Sequence, residues 1–374
     1  MKQRTFILYF LIITGMALLF GCKKNNTDQG AGGGQASLTS GVYAAGYELD
    51  VSGNYVAQVW KDGVATPLKD GFKTTTAHCV FVTDSDVYVA GDAYTGSGYV
   101  ATLWKNGVVT ELLNTGTSST ATSVYVSGKF VYVSGTVFKG TMGIPALWYN
   151  GDLQVQNSGT NGSILNAMTV SGTDIYTAGI AFTNPYAGYF EQNKRTATLW
   201  KNGIAITLSS GYNADVNAVA VSGNDVYAAG VVYMNPPTTF SAGTGTAVLW
   251  KNGTVTQLDP TVPLNGGYTL TASVAHSIYV TPADVYVAGQ LYKNGPYSMA
   301  TVWKNGMPIN LTDGKDAATA NAVYVSGNDV YVSGNMKSTS SPSTYAATIW
   351  KNGVAIQLSG VPRKSDASSI FIKK

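Results

Sequence analysis

The sequence predicts an all-β fold, a seven-bladed β-propeller with four antiparallel strands per blade. Three observations carry that prediction. All seven tryptophans occupy one repeated slot, each is followed by the signature of a tight hairpin turn, and two incomplete units at the ends of the repeat sum to one whole unit.

The tryptophans are Trp60, Trp104, Trp148, Trp200, Trp250, Trp303 and Trp350, spaced 44 to 53 residues apart. Most are followed by Lys-Asn-Gly; the first reads Lys61-Asp62-Gly63 and the third Tyr149-Asn150-Gly151. Asn-Gly and Asp-Gly between short apolar segments mark two-residue type I′ turns, because both turn residues must adopt positive φ. A strand therefore ends near each Trp, and another begins at segments such as 64–68 and 108–112. A second apolar element ending in Gly recurs at 42–46, 87–91, 131–135, 175–179, 226–230, 285–289 and 330–334. A third precedes it in most units, as at 80–82, 124–126 and 323–325, across turns such as Ser326-Gly327-Asn328-Asp329. These are strands A, B, C and D in chain order, with Trp on C. A four-stranded unit of this length is a propeller blade rather than a solenoid coil.

Closure follows from the ends. The repeat begins at a strand B, 42–46, with no strand A before it, and ends at Ile370-Phe371-Ile372, a strand A with no strand B after it. The C-terminal strand is expected to complete the N-terminal blade, giving a propeller over residues 41–374. In blade length and count the chain resembles kelch and WD-type repeats, without the paired glycines of the first or the Gly-His and Trp-Asp pattern of the second. Its Trp-Lys-Asn-Gly blades are more similar to the propeller repeats of bacterial surface lipoproteins, a resemblance that covers residues 42–372 and implies a fold, not an activity.

Lys2 and Arg4 precede an apolar run from Phe6 to Phe20, followed by Gly21-Cys22. That order of charge, short apolar core and small residue describes a secretory signal over 1–21. Its end resembles the bacterial lipobox, although Phe20 stands where a smaller residue is preferred. The resemblance implies lipidation of Cys22, a Gly-, Gln- and Ser-rich tether over 22–40, and a place at the bacterial cell envelope, with the outer membrane expected. The membrane is then met through the N-terminal lipid only; plain secretion is the alternative. Cys79, the other cysteine, lies in an apolar strand and reads as a buried small side chain.

Only 11% of residues are charged and the net charge is +3, with no basic run, so nucleic acid is not an expected partner. The expected partner is a glycan or a protein, and the chain is expected to be a monomer. The A–B and C–D turns share one rim. The B–C and D–A connections share the other, vary in length, and carry Tyr94, Tyr99, Tyr186, Tyr189, Phe190, Tyr233, Phe240, Tyr292, Tyr297 and Tyr345. Uncharged loops with aromatics suit sugar stacking or a protein surface, or simply cover the blade ends. On the same side, two residues before the first apolar residue of each strand A, stand His78, Thr122, Asn166, Asn217, His276, Asn321 and Ser368. If strand A is innermost they ring the channel mouth, as a ligand site or as hydrogen bonds closing the hub.

No nucleophile elbow, phosphate loop or His-Glu-x-x-His helix occurs, and neither a metal nor a cofactor is expected. No carboxylate accompanies the histidines in the ring, while Asp92 and Glu191 read as unpaired loop residues. The sequence therefore favours a non-catalytic binding or scaffold propeller, with an envelope glycan hydrolase or lyase and a purely structural component as alternatives. The lysines beside the turns (Lys61, Lys105, Lys201, Lys251, Lys304, Lys351) are expected to make the short-turn rim mildly positive.

Overall fold

A computed structural model describes residues 41–68, 71–112, 116–155, 161–183, 195–209, 213–233, 245–258, 270–293, 297–339, 344–358 and 363–373. The expected signal segment, the tether, Cys22, Tyr186, Tyr189, Phe190, Phe240 and Glu191 lie outside them. No helix among the described residues is long and apolar enough to cross a membrane.

Seven four-stranded antiparallel sheets follow one another, each in the order A-B-C-D. The first is closed as expected: the last strand, Ser365–Ile372, pairs with the first, Val42–Leu49, with Ala44 opposite Ile370. Every Trp-side hairpin is a type I′ turn. Asp62, Asn106, Asn150, Asn202, Asn252, Asn305 and Asn352 all sit at φ of 50–51°, each followed by a Gly at positive φ. Asn tolerates that conformation better than other non-Gly residues, which is why the sequence repeats it.

The tryptophans hold blade to blade. Trp104 packs with Tyr43, Ala45 and Leu68 of the preceding blade, and Trp60 with Tyr331, Ala347 and Ile349 across the seam. All seven are at most 1% exposed. Truncating one such side chain costs about 3–5 kcal/mol through lost burial and the cavity left behind. A hydroxyl adds a second tie: the strand-C amides of Ala57, Ala101, Ala247 and Ala347 donate to Thr75, Ser119, Ser273 and Ser365 of the next blade, at 2.7–2.9 Å. Strand A is innermost and strand D outermost, where Val64–Pro67 and Ile204–Thr207 are exposed along their whole length.

The short-turn rim is less positive than the sequence suggests. Lys105, Lys201, Lys251, Lys304 and Lys351 pair with Asp86, Asp174, Asp225, Asp284 and Asp329 at 2.7–3.3 Å. In these five blades the turn Asn also reaches the Asp, as Asn106 Nδ2 does to Asp86 Oδ1 at 2.7 Å. The aspartates that recur at strand starts are thus charge partners of the following hairpin as well as turn residues.

Candidate functional site

The seven polar residues near the start of strand A share one backbone feature that the sequence reading missed. Each is the extra residue of a β-bulge. In blade 2, Ala77 lies opposite Gly91 and Cys79 opposite Ala90, which leaves His78 unpaired. The same shift isolates Thr122, Asn166, Asn217, His276, Asn321 and Ser368. The glycine opposite each bulge explains the Gly that ends the strand-B motif. A Cβ on Gly91 would stand 2.0 Å from the Thr76 carbonyl oxygen, and the other six bulge glycines meet a backbone oxygen at 1.9–2.0 Å. Only glycine lets strand B pass beneath that carbonyl.

Four bulge residues form a belt that runs from blade to blade. Thr122 Oγ1 donates to the Leu165 carbonyl at 3.1 Å, Asn166 Nδ2 to Val216 at 2.7 Å and Asn217 Nδ2 to Ala275 at 2.8 Å. Asn321 Nδ2 donates to the Ala367 carbonyl at 3.2 Å. His276 sits in the same ring, but its Nε2 is buried without a hydrogen-bond partner, and burial lowers its pKa to about 4. It is a neutral imidazole.

His78 and Ser368 leave the belt and turn to carboxylates instead. His78 Nε2 lies 2.8 Å from Asp92 Oδ2, and Asp92 Oδ1 accepts the Ala121 amide of the next blade at 3.1 Å. Ser368 Oγ donates to Asp366 Oδ2 at 3.3 Å, while Asn321 and Asn335 donate to Asp366 at 2.9 and 2.6 Å. The ring is therefore not free of carboxylates. Asp92 is no loop residue: strand B runs on past Gly91 to Tyr94, and Asp92 turns inward from it, 7% exposed. Asp366 lies two residues before Ser368, on the extension of strand A beyond the apolar segment that the sequence makes visible.

The electrostatics couple the three groups. Burial works against the His78 imidazolium, yet the Asp92 hydrogen bond and the charges of Asp92 and Asp366 outweigh it, so its pKa is raised. Burial also raises the Asp366 pKa, against the pull of hydrogen bonds from Asn335, Asn321 and Ser368. Tyr47, beside Asp366, is pushed up to about 12 by burial and then by that charge. His78 nevertheless keeps 38% of its side chain open to the channel, so protein surrounds the ring without sealing it. Among the described residues no group of three or more His, Cys, Asp or Glu side chains is arranged to hold a metal ion.

The loop aromatics are not brought together into one surface. Tyr94 and Tyr99 form a tilted pair with ring centroids 5.3 Å apart, Tyr99 being 44% exposed. Tyr233 donates to Asp215, which is held in a buried ion pair by Arg195 at 2.5 Å. Tyr292 accepts from Gln290, and burial raises its pKa. Tyr297 is 41% exposed, and Tyr345 is half-buried, opposite Lys337 on the neighbouring strand.

No family model matches the sequence, and no curated protein matches it. Among solved structures, a puromycin-hydrolyzing peptidase of Mycobacterium tuberculosis is similar with a TM-score of 0.53 and 10% identity, covering 86% of this chain and 52% of that one. An acylaminoacyl peptidase of Pyrococcus horikoshii gives 0.46 and 11%, covering 78% and 47%. Hydrazine synthase of Kuenenia stuttgartiensis gives 0.45 and 12%, covering 88% and 46%. The chain spans about half the length of these proteins. The expectation of a non-enzyme is corrected here, because this fold occurs in a hydrolysing enzyme and the mouth holds an imidazole–carboxylate pair beside a second carboxyl group. The likeness shows the propeller fold.

Proposed function

We propose that this chain is an envelope-tethered propeller whose channel mouth, across blades 7, 1 and 2, performs acid–base chemistry on a glycan as a hydrolase or lyase. The observation that carries the reading is the His78–Asp92 pair at 2.8 Å with Asp366 close enough to raise the imidazole pKa. His78, whose charged form Asp92 favours, is the general acid; Asp366, made more basic by burial, is the general base. In hydrolysis Asp366 takes a proton from water as its oxygen bonds to the anomeric carbon. His78 gives its proton to the glycosidic oxygen as that carbon–oxygen bond breaks. Neutral Asn321, Asn335 and Ser368 hold the base in place. The Tyr94–Tyr99 pair, on the same blade as His78 and with Tyr99 exposed, offers a stacking surface for a sugar ring. The peptidase likeness supports the fold alone, so the substrate class is read from the hydroxyl and amide side chains that surround the pair, Thr122, Asn166, Asn217, Asn321, Asn335 and Ser368. Lipidation at Cys22 and an outer-membrane address complete the reading.

The test is turnover of polysaccharides and aryl glycosides by the mature chain, followed by release of reducing ends. His78→Gln and Asp366→Asn should each lower kcat by about 10²–10⁴-fold, the usual contribution of one acid or base. Absence of turnover across the panel, or turnover indifferent to both substitutions, rules the reading out. A structural role is favoured for the arc from Thr122 to Asn217 alone, whose polar groups bond to the next blade.

A further inference from the structure

The short-turn rim faces away from the acid–base site and carries an exposed apolar pattern of its own. At the position just after each turn Gly, the outermost strand presents Val64 (70% exposed), Val108 (69%), Ile204 (73%), Met307 (70%) and Val354 (53%). Neither the blade core nor the hairpin turn requires an aliphatic side chain there; Asp152 and Thr254 fill the same place in the remaining two blades. Repetition at one height makes a discontinuous apolar belt around the rim rather than scattered surface residues.

Two further observations say what covers it. Strand B of blade 1 starts at Val42, and the Gly41 carbonyl accepts the Lys373 amide at 2.9 Å, so the chain from residue 40 joins the propeller at this rim. Eighteen residues (23–40) separate Cys22 from Gly41, and a Gly- and Ser-rich linker of that length has a root-mean-square span of about 25 Å. A lipid at Cys22 would therefore be linked to the propeller through this rim, where the chain enters it. Ion pairing around the rim is also uneven. Five rim lysines are neutralised by aspartates, but Lys61, over the Tyr43 ring, and Lys129, over Phe130, have no carboxylate partner among the described residues. Lys61 belongs to blade 1, where the chain joins, and Lys129 to blade 3.

We propose that the short-turn rim is a membrane-docking surface that rests on an anionic phospholipid bilayer, its aliphatic belt in the headgroup region and Lys61 and Lys129 against lipid phosphates. It rests on the lipid-anchor part of the functional reading and is independent of the acid–base part. Docking in this way turns the His78 mouth away from the membrane. Several shallow aliphatic contacts with a little charge attraction give weak binding, which the lipid makes local.

The test removes the lipid, so that failure of docking and failure of anchoring are read apart. The mature chain carrying Cys22→Ser is sedimented with vesicles of phosphatidylethanolamine and phosphatidylglycerol, and with phosphatidylcholine vesicles. Preferential, salt-sensitive binding to the anionic vesicles is expected. Combining Val64→Ser, Val108→Ser, Ile204→Ser, Met307→Ser and Val354→Ser should weaken it about tenfold or more, since binding scales with buried apolar area. Lys61→Gln with Lys129→Gln should remove most of the salt sensitivity. Unchanged urea midpoints check that the variants fold. No vesicle binding, binding indifferent to the belt but lost in Tyr99→Ser with Tyr297→Ser, or a belt that instead drives self-association in sedimentation velocity would each overturn the proposal. Labelling of cells with palmitate tests anchoring at Cys22 separately.

Discussion

Replacing Gly91 with Ala is the sharpest test of how the fold places its site. A Cβ there would stand 2.0 Å from the Thr76 carbonyl oxygen and 2.9 Å from the Ala77 Cα, both backbone atoms that no rotamer change can move. Relief requires the two strands to part by about 1 Å. Overpacking of that kind costs about 1–3 kcal/mol, and two ladder hydrogen bonds stretched at the bulge add about 1 kcal/mol each. The expected loss is about 3–5 kcal/mol. Gly107→Ala is the control: its φ is +82°, nothing lies within 4 Å of a new Cβ, and only the left-handed strain of about 1–2 kcal/mol applies. Equilibrium urea unfolding, followed by fluorescence of the buried tryptophans, gives both numbers. The His78 titration supplies a second readout, because the bulge aims that ring at Asp92; in Gly91→Ala its pKa should fall back toward 6.5. A Gly91→Ala variant no less stable than Gly107→Ala, with the His78 titration unmoved, would refute the bulge argument.

The histidines predict opposite pH dependences. The folded pKa of His78 is raised, so its contribution to stability is fully present below about 6.5 and lost as pH climbs through the folded value; thermal midpoints of wild type and His78→Gln should converge at high pH. His276 is lowered to about 4, so the unfolded chain binds the extra proton between about 4 and 6.5 and stability falls as pH drops through that window; His276→Leu should flatten that part of the profile. His276→Asn should extend the belt to the next blade and, at neutral pH, stabilise by about 1 kcal/mol in urea unfolding, the value of one buried hydrogen bond. Trp250→Ala, at a side chain 1% exposed between two blades, should cost about 3–5 kcal/mol by the same measurement.

What the sequence makes legible is what recurs with a strong local cause. The Asn-Gly turns demand positive φ, the tryptophans need a core, and the unmatched end strands need each other, so the propeller and its seam are readable before any coordinate. The bulge ring is half readable. Its polar residues stand out against apolar neighbours, and an isolated Gly inside each strand B is itself a signal of a bulge or a close backbone approach. Asp92 and Asp366 escape because both lie on strand extensions beyond the apolar segments, where hydropathy marks no strand. Asp92 meets His78 across one hairpin, while Asp366 acts on it electrostatically from the far end of the sequence, which no local pattern encodes. The rim lysines mislead because their aspartates sit 19 to 27 residues away, in the A–B turn of the same blade.

The site straddles the seam. Asp366 and Ser368 come from the last strand, Asn321 and Asn335 from blade 7, and His78 with Asp92 from blade 2, so the proposed acid and base are supplied from opposite sides of the seam. A seam defect should therefore reach the chemistry, while an equal defect elsewhere should not. Ile370 and Ile278 occupy the same place two residues after a bulge, at 6% and 8% exposure, in blade 1 and blade 6. Either substitution by Ala should cost about 2–5 kcal/mol. Ile370 packs with Val42, Trp60 and Ala367, so its truncation loosens the strand that carries Asp366, whereas Ile278 packs with Val287 and Trp303. Turnover by Ile370→Ala should fall several-fold with its pH profile displaced, while Ile278→Ala keeps both at temperatures where each variant is folded. Equal losses from the two would mean that activity follows global stability, and that ring closure does no more for the site than hold the propeller together.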